Sequence, residues 1–250
     1  YEAAKITVEE VLKINPRLPE VWAYPSVLTR LKNDATEEKR CRDEALKLWK
    51  NNPKVDHLIG LKLSQKYRFA EGSEFQRQAL KFDPEYLPAK MQLAQDYLRI
   101  GKTDEGWILA GEVHRADEYD VTAFNLTTLK GVLDGYATLT NQYFIVRMPA
   151  KEGPIFGDRV LELLERARTN LCTKYGLELK QPVVVEIFGS QKDFGVRTFG
   201  MPDNPGFLGV CFGKVITANS PSAQVSRSAN WEAVLWHEFC HVVTLELTRN

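Results

Sequence analysis

Residues 231–245 read Trp231-Glu-Ala-Val-Leu-Trp-His237-Glu238-Phe-Cys-His241-Val-Val-Thr-Leu245, and the rest of the chain takes its meaning from this stretch. Asn230 stands before it as an N-cap, and Glu232 lies where the positive end of a helix dipole favours a carboxylate, so the pattern predicts a helix from Trp231 to about Leu247. On such a helix His237 and His241 differ by about 40° around the axis and ~6 Å along it. Two imidazoles so placed converge on one cation, and zinc takes histidine nitrogen while tolerating an open coordination position. Glu238 is turned about 100° from His237 and ~60° from His241. That sets it beside the ion, where a carboxylate can act as general base toward a water. Cys240 is turned about 80° from the centre of the ligand face, away from Glu238, and is read as packing. The plain alternative is a core helix that happens to hold two histidines. Trp236, Phe239, Val242 and Val243 bury the remaining faces under either reading.

Working back toward the N-terminus, residues from about Gln142 have a mixed α/β texture. Gln142 to Met148 alternates like a strand, Gly157 to Tyr175 carries Val160, Leu161, Leu164, Ala167 and Leu171 at helical spacing, and Pro182 to Phe188 is a β-branched run suited to a buried strand. Ser190 opens a short helix to about Thr198, Phe199 to Pro205 is a Gly/Pro-rich loop, and Ser220 to Ala229 is a polar loop. Between those loops Leu208 to Phe212 and Val215 to Asn219 form a hairpin. Gly213 is the first of its two turn residues, as a type II′ turn requires.

The first half has another rhythm. Asn15-Pro16, Asn52-Pro53 and Asp83-Pro84 recur at 53 − 16 = 37 and 84 − 53 = 31 residues, straddling the roughly 34-residue period of a tetratricopeptide repeat. Leu93, Ala94 and Tyr97 share one helix face, Gly101 supplies a turn before a partner helix from Thr103 to Ala116, and Trp22 and Phe124 take the bulky position early in their repeats. Ala4 and Val11, and one repeat before Leu93 the residues Gly60, Gly72 and Ala79, mark points of close helix approach. The pattern is weakest between Leu31 and Lys50. His57 and His114 lie in this half as single histidines on helices, a placement that more often means packing than metal.

Composition closes off other classes. Thirty-three basic residues balance thirty-three acidic ones, so there is no global field for nucleic acid or anionic membranes. Apolar runs such as Val183–Val185 are strand-sized, short of the roughly 20 residues of a membrane span. Cys41, Cys172, Cys211 and Cys240 are dispersed and form neither a disulfide framework nor a thiolate metal site. No G-x-S-x-G elbow, P-loop or dinucleotide fingerprint competes for the chemistry. The chain opens on Tyr1 inside what reads as a helix, so a native N-terminus and any targeting signal are expected upstream, and the compartment is left open.

On the motif His237-Glu238-x-x-His241 and the strands before it, residues 142–250 resemble the N-terminal subdomain of a gluzincin, the thermolysin-like MA-clan zinc metallopeptidases. Their union with helical repeats is similar to a bacterial group of peptidase-MA-like repeat proteins. The expected fold is therefore multi-domain: an all-α tetratricopeptide solenoid over residues 1–136, then an α+β zincin-like subdomain over 137–250. The resemblance implies Zn²⁺ on His237 and His241 with Glu238 as base, and an edge strand, Gly209-Val210-Cys211-Phe212, that pairs with an extended peptide substrate. It also implies a third ligand, a glutamate from a later helix. Only 250 − 241 = 9 residues follow His241, and Glu246 would lie roughly 13 Å along and ~180° around the same helix from His237, so that ligand is expected beyond Asn250. Two expectations follow: a protease-sensitive junction between Gly135 and Asn141, and an apolar patch at Phe239, Val243 and Leu247 left for a further subdomain. Two functions compete: a zinc peptidase whose repeat groove holds protein or peptide partners, and a repeat interaction module carrying an inactive zincin-like domain.

Overall fold

The computed structural model describes residues 2–202, 206–223 and 230–248. Parts of both expected loops, 203–205 and 224–229, lie outside the described residues, as do 1 and 249–250. The chain divides into two compact units, Tyr1–Tyr97 and Leu98–Asn250. The expected boundary after residue 136 falls inside the second.

The first unit is helical. It holds α1 (Glu2–Ile14), α2 (Pro19–Leu31), α3 (Ala35–Ala45), α4 (Pro53–Ser64), α5 (Phe69–Phe82) and most of α6 (Leu87–Arg99). Local chemistry starts and stops these helices: Asp34 accepts the Glu37 N–H ahead of α3, and Asn52 accepts the Lys54 N–H with Pro53 at the first helical position of α4. α2 packs on α3 and on α4, and α4 on α5, around Ala23, Val27, Ala45, Leu46, Val55, Ile59 and Leu63. Gly60 and Gly72 stand where the α4 and α5 backbones cross, as their spacing predicts. A Cβ on Gly60 would lie 2.7 Å from the Gly72 carbonyl oxygen, and one on Gly72 would lie 2.9 Å from that of Gly60.

The second unit begins with the end of α6 and continues through α7 (Thr103–Ala116) and α8 (Val121–Leu133) into a five-stranded mixed sheet with three further helices. The sheet comprises β1 (Tyr136–Thr140), β2 (Phe144–Pro149), β3 (Val183–Phe188), β4 (Gly209–Phe212) and β5 (Val215–Asn219); α9 (Gly153–Tyr175), α10 (Gln191–Phe199) and α11 (Trp231–Thr248) complete it. Strand order is β1-β2-β3-β5-β4. β2, β3 and β5 run parallel, and β1 and β4 are antiparallel edges. β1 was not expected. The stretch read as a protease-sensitive junction is a strand paired with β2 from Tyr136 opposite Pro149 to Thr140 opposite Ile145.

One sheet face carries the main core. Phe144, Val146 and Met148 of β2, Val183, Val185 and Ile187 of β3 and Ile216 and Ala218 of β5 meet Val160, Leu164 and Ala167 of α9 and Leu235, Phe239 and Val242 of α11. The opposite face receives α10, with Leu98 and Trp107 beside it. There Arg197 Nε lies 2.6 Å from Glu186 Oε2, with Arg147 Nη1 3.2 Å from the other oxygen. Arg197 Nη2 donates to the Leu98 carbonyl at 2.9 Å and its guanidinium lies 5.8 Å from the Trp107 ring centre. That buried cation ties Leu98 and Trp107 to the sheet, in keeping with a compact unit that joins α7 to the strands. The fold is thus mostly helical, with one small mixed sheet, and no described helix is long and apolar enough to cross a membrane.

Candidate metal centre

α11 begins as its sequence predicts: Asn230 Oδ1 accepts the Ala233 N–H at 3.1 Å. Its inner side is fixed by Leu235, Phe239, Val242 and Val243, all buried, with the Phe239 ring meeting Phe144 edge-on at 5.7 Å. Phe239 and Val243 therefore do not form the apolar patch expected of them, because the sheet covers them; of that trio only Leu247 is exposed, at 48%. Glu246 is drawn away to the Lys214 ammonium at 3.0 Å.

The outer side presents His237 and His241, both exposed. Their Nε2 atoms are 3.1 Å apart and the rings stand at 90°. Two nitrogens each about 2.0–2.1 Å from one zinc can be at most about 4.2 Å apart, so this pair is compatible with a shared ion, and neutral imidazole is the donor type zinc favours. Burial, and then the His237 charge, hold the His241 pKa below its usual value, so His241 stays in the ligating form further into acid.

Glu238 follows His237 directly on the same helix. It is buried, 6% exposed, between α11 and the edge strand β4. Desolvation raises its pKa, opposed by the charge of His237 and by a hydrogen bond that its carboxylate accepts from the Cys211 backbone N–H. Among the described residues β4 is an edge strand of the sheet. Asn219 N–H donates to the Leu208 carbonyl and Val210 stands opposite Thr217. Alternation therefore turns the backbone groups of Gly209 and Cys211 outward. The turn after β4 has Gly213 at φ +60, as the type II′ reading requires.

His237, Glu238 and His241 thus lie together, with Gly209 and Cys211 against Glu238. The side chains of Val210 and Phe212 alternate to the other face of β4, where the Phe212 ring lies 5.3 Å from the Arg99 guanidinium. Val234 was not foreseen. One helical turn before Glu238, it shares with that residue the space beneath Gly209. Its signal in the sequence, an apolar residue at i−4, is common to any buried helix. His57 and His114 hold other partners, Gln76 and the Phe124 ring. Among the described residues no group of three or more His, Cys, Asp or Glu is arranged to hold a metal.

Neither a protein-family model nor a curated protein matches the chain.

Proposed function

We propose that the second unit carries the zinc site of a peptidase of gluzincin type, with His237 and His241 as ligands and Glu238 as general base. The observation that carries the reading is the pairing of two convergent, exposed imidazoles with a buried carboxylate one residue away, against an edge strand of the sheet. Zinc supplies Lewis-acid activation of water and of a substrate carbonyl. Glu238 takes the proton from the attacking water and returns it to the leaving nitrogen, and a pKa raised by burial moves a carboxyl group toward the range where it can do both. β4 orients the substrate by backbone pairing through the outward groups that Glu238 leaves open, the Gly209 N–H and the Gly209 and Cys211 carbonyls, a mode that tolerates varied side chains.

Glu238→Gln in the full-length protein should keep zinc yet lose turnover by about 10²-fold or more, whereas His237→Ala should lose the metal too. Turnover that survives Glu238→Gln removes the mechanism.

A second reading makes the helical unit the working part. A cavity of about 410 Å³ in that unit, lined by Val8, Leu12, Trp22, Pro25, Leu28 and Arg40 among others, favours it. Peptide binding that is lost on Trp22→Ala, in a protein without turnover, would support the interaction module over the enzyme.

A further inference from the structure

Gly209 sits in the middle of the site without a conformational reason to be glycine. It is the first residue of β4 and its backbone avoids the left-handed region, so any L-residue could adopt it. Space alone demands the glycine. A Cβ there would lie 2.7 Å from Val234 Cγ1, 2.8 Å from Glu238 Cγ and 3.1 Å from Glu238 Oε1. Two of those three atoms belong to Glu238, and two residues along the same strand the Cys211 N–H donates to that carboxylate. The strand therefore meets the glutamate twice, by an absent side chain and by a present hydrogen bond.

We propose that Gly209 is a positioning residue: it lets the Glu238 side chain lie flat against β4, where the Cys211 N–H holds the carboxylate beside the sheet edge that a peptide would join. The role in turnover rests on the peptidase reading; the placement of the carboxylate does not. Any side chain at 209 displaces Glu238 from Cys211 and frees the carboxylate to swing toward solvent. The same missing atom also accommodates Val234, so close strand-to-helix packing is the competing explanation, and the two contacts can be separated.

Three variants separate them: Gly209→Ala, Val234→Ala and the double substitution. In the double variant the new methyl enters the space that Val234 gives up, which restores packing and leaves Glu238 as the only crowded neighbour. Expected for the double variant is a melting temperature within about two degrees of wild type, bound zinc unchanged in the full-length protein, kcat lowered about ten-fold or more, and KM within about two-fold; Val234→Ala alone should keep wild-type kcat. A double variant that regains both stability and kcat makes Gly209 a packing residue and overturns the proposal.

Amide exchange gives the second readout, without turnover. Among the described residues the outward Cys211 N–H has Glu238 as its acceptor, so Glu238→Ala and the double variant should each speed its exchange about ten-fold, while Val184 and Val185 in β3 stay unchanged. Exchange of Cys211 at the wild-type rate in the double variant also overturns the proposal. Absence of turnover in the wild-type full-length protein, with the exchange pattern as expected, removes the peptidase reading and leaves the placement of Glu238 by Gly209 standing.

Discussion

Asp56 in the helical unit and Glu238 in the sheet unit are both carboxylates buried on helices, and the fold treats them in opposite ways. Asp56 is 0% exposed, with its two oxygens 2.6 and 2.7 Å from the Arg42 guanidinium. Glu186 is held in the same manner by Arg197 and Arg147. Glu238, 6% exposed, has no arginine or lysine among the described residues; a backbone N–H and the adjacent His237 are its support. Desolvation therefore outweighs its partners and raises its pKa. A buried carboxylate that lacks a cation costs stability, and such groups concentrate where a proton has to be moved. The contrast supports reading Asp56 and Glu186 as braces and Glu238 as a working group.

The largest effect should come from breaking a brace. Arg197→Met leaves Glu186 buried opposite only Arg147, and removing one partner of a buried pair costs about 3–5 kcal/mol. Because Arg197 also holds the Leu98 carbonyl, that loss should appear across residues 98–116 as well as in the sheet. Arg42→Met should cost less, since Arg42 is itself 22% exposed and water can reach the carboxylate it leaves. Urea unfolding followed by hydrogen exchange measures both. An Arg197→Met loss under about 1 kcal/mol would show that Glu186 needs no such partner.

The next effect should have the opposite sign on the two sides of the comparison. Asp56→Asn removes an ionic partner from Arg42 and should lower the stability of the helical unit by about 1–3 kcal/mol. Glu238→Gln removes a charge that has no cation and keeps an oxygen to accept the Cys211 N–H, so it should raise the stability of the sheet unit by up to about 1 kcal/mol. Destabilisation by Glu238→Gln would mean that the carboxylate is a structural group and would weaken its assignment as the base.

How much of this was readable beforehand depends on the range of the information. The convergence of His237 and His241 is written in their four-residue spacing and a cap at Asn230, and the close helix crossing at Gly60 and Gly72 in two small residues; both are local, and the structure has them. β1 was read as a junction because Tyr136–Thr140 is short and indistinct, and only its pairing with Phe144–Pro149 makes it a strand. The start of the second unit was invisible for the same reason, since the contact that ties Leu98 to Arg197 spans 99 positions. Phe239 and Val243 were assigned to an open patch because helix geometry gives faces without saying which face meets the sheet. Their contact with the β2 core decides it.

The smallest expected effect belongs to His57, the helical unit's counterpart to the exposed pair on α11. His57 is half-buried on α4, its Nδ1–H donates to Gln76 Oε1 at 2.9 Å, the Gln76 amide returns a bond to the His57 carbonyl at 3.1 Å, and the Tyr86 ring meets the imidazole edge-on at 5.6 Å. Burial holds its pKa below the usual value, and the bond it donates to Gln76 opposes this without reversing it. The sign follows from linkage. As pH falls, the unfolded chain takes up the proton first, at about pH 6.5. The stabilisation from a neutral His57 is therefore complete above that pH and drains away as pH falls through the lower folded-state pKa. Exchange of the α4 and α5 amides should quicken between about pH 7 and the acid side of that window, by under ~1 kcal/mol in opening free energy. His57→Gln, which has no proton to gain there, should flatten the change while leaving the pH response of α11 as it was. A wild-type profile that matches His57→Gln across this window would show that His57 takes its proton equally well in the folded and unfolded chain, and that its burial does not keep it neutral.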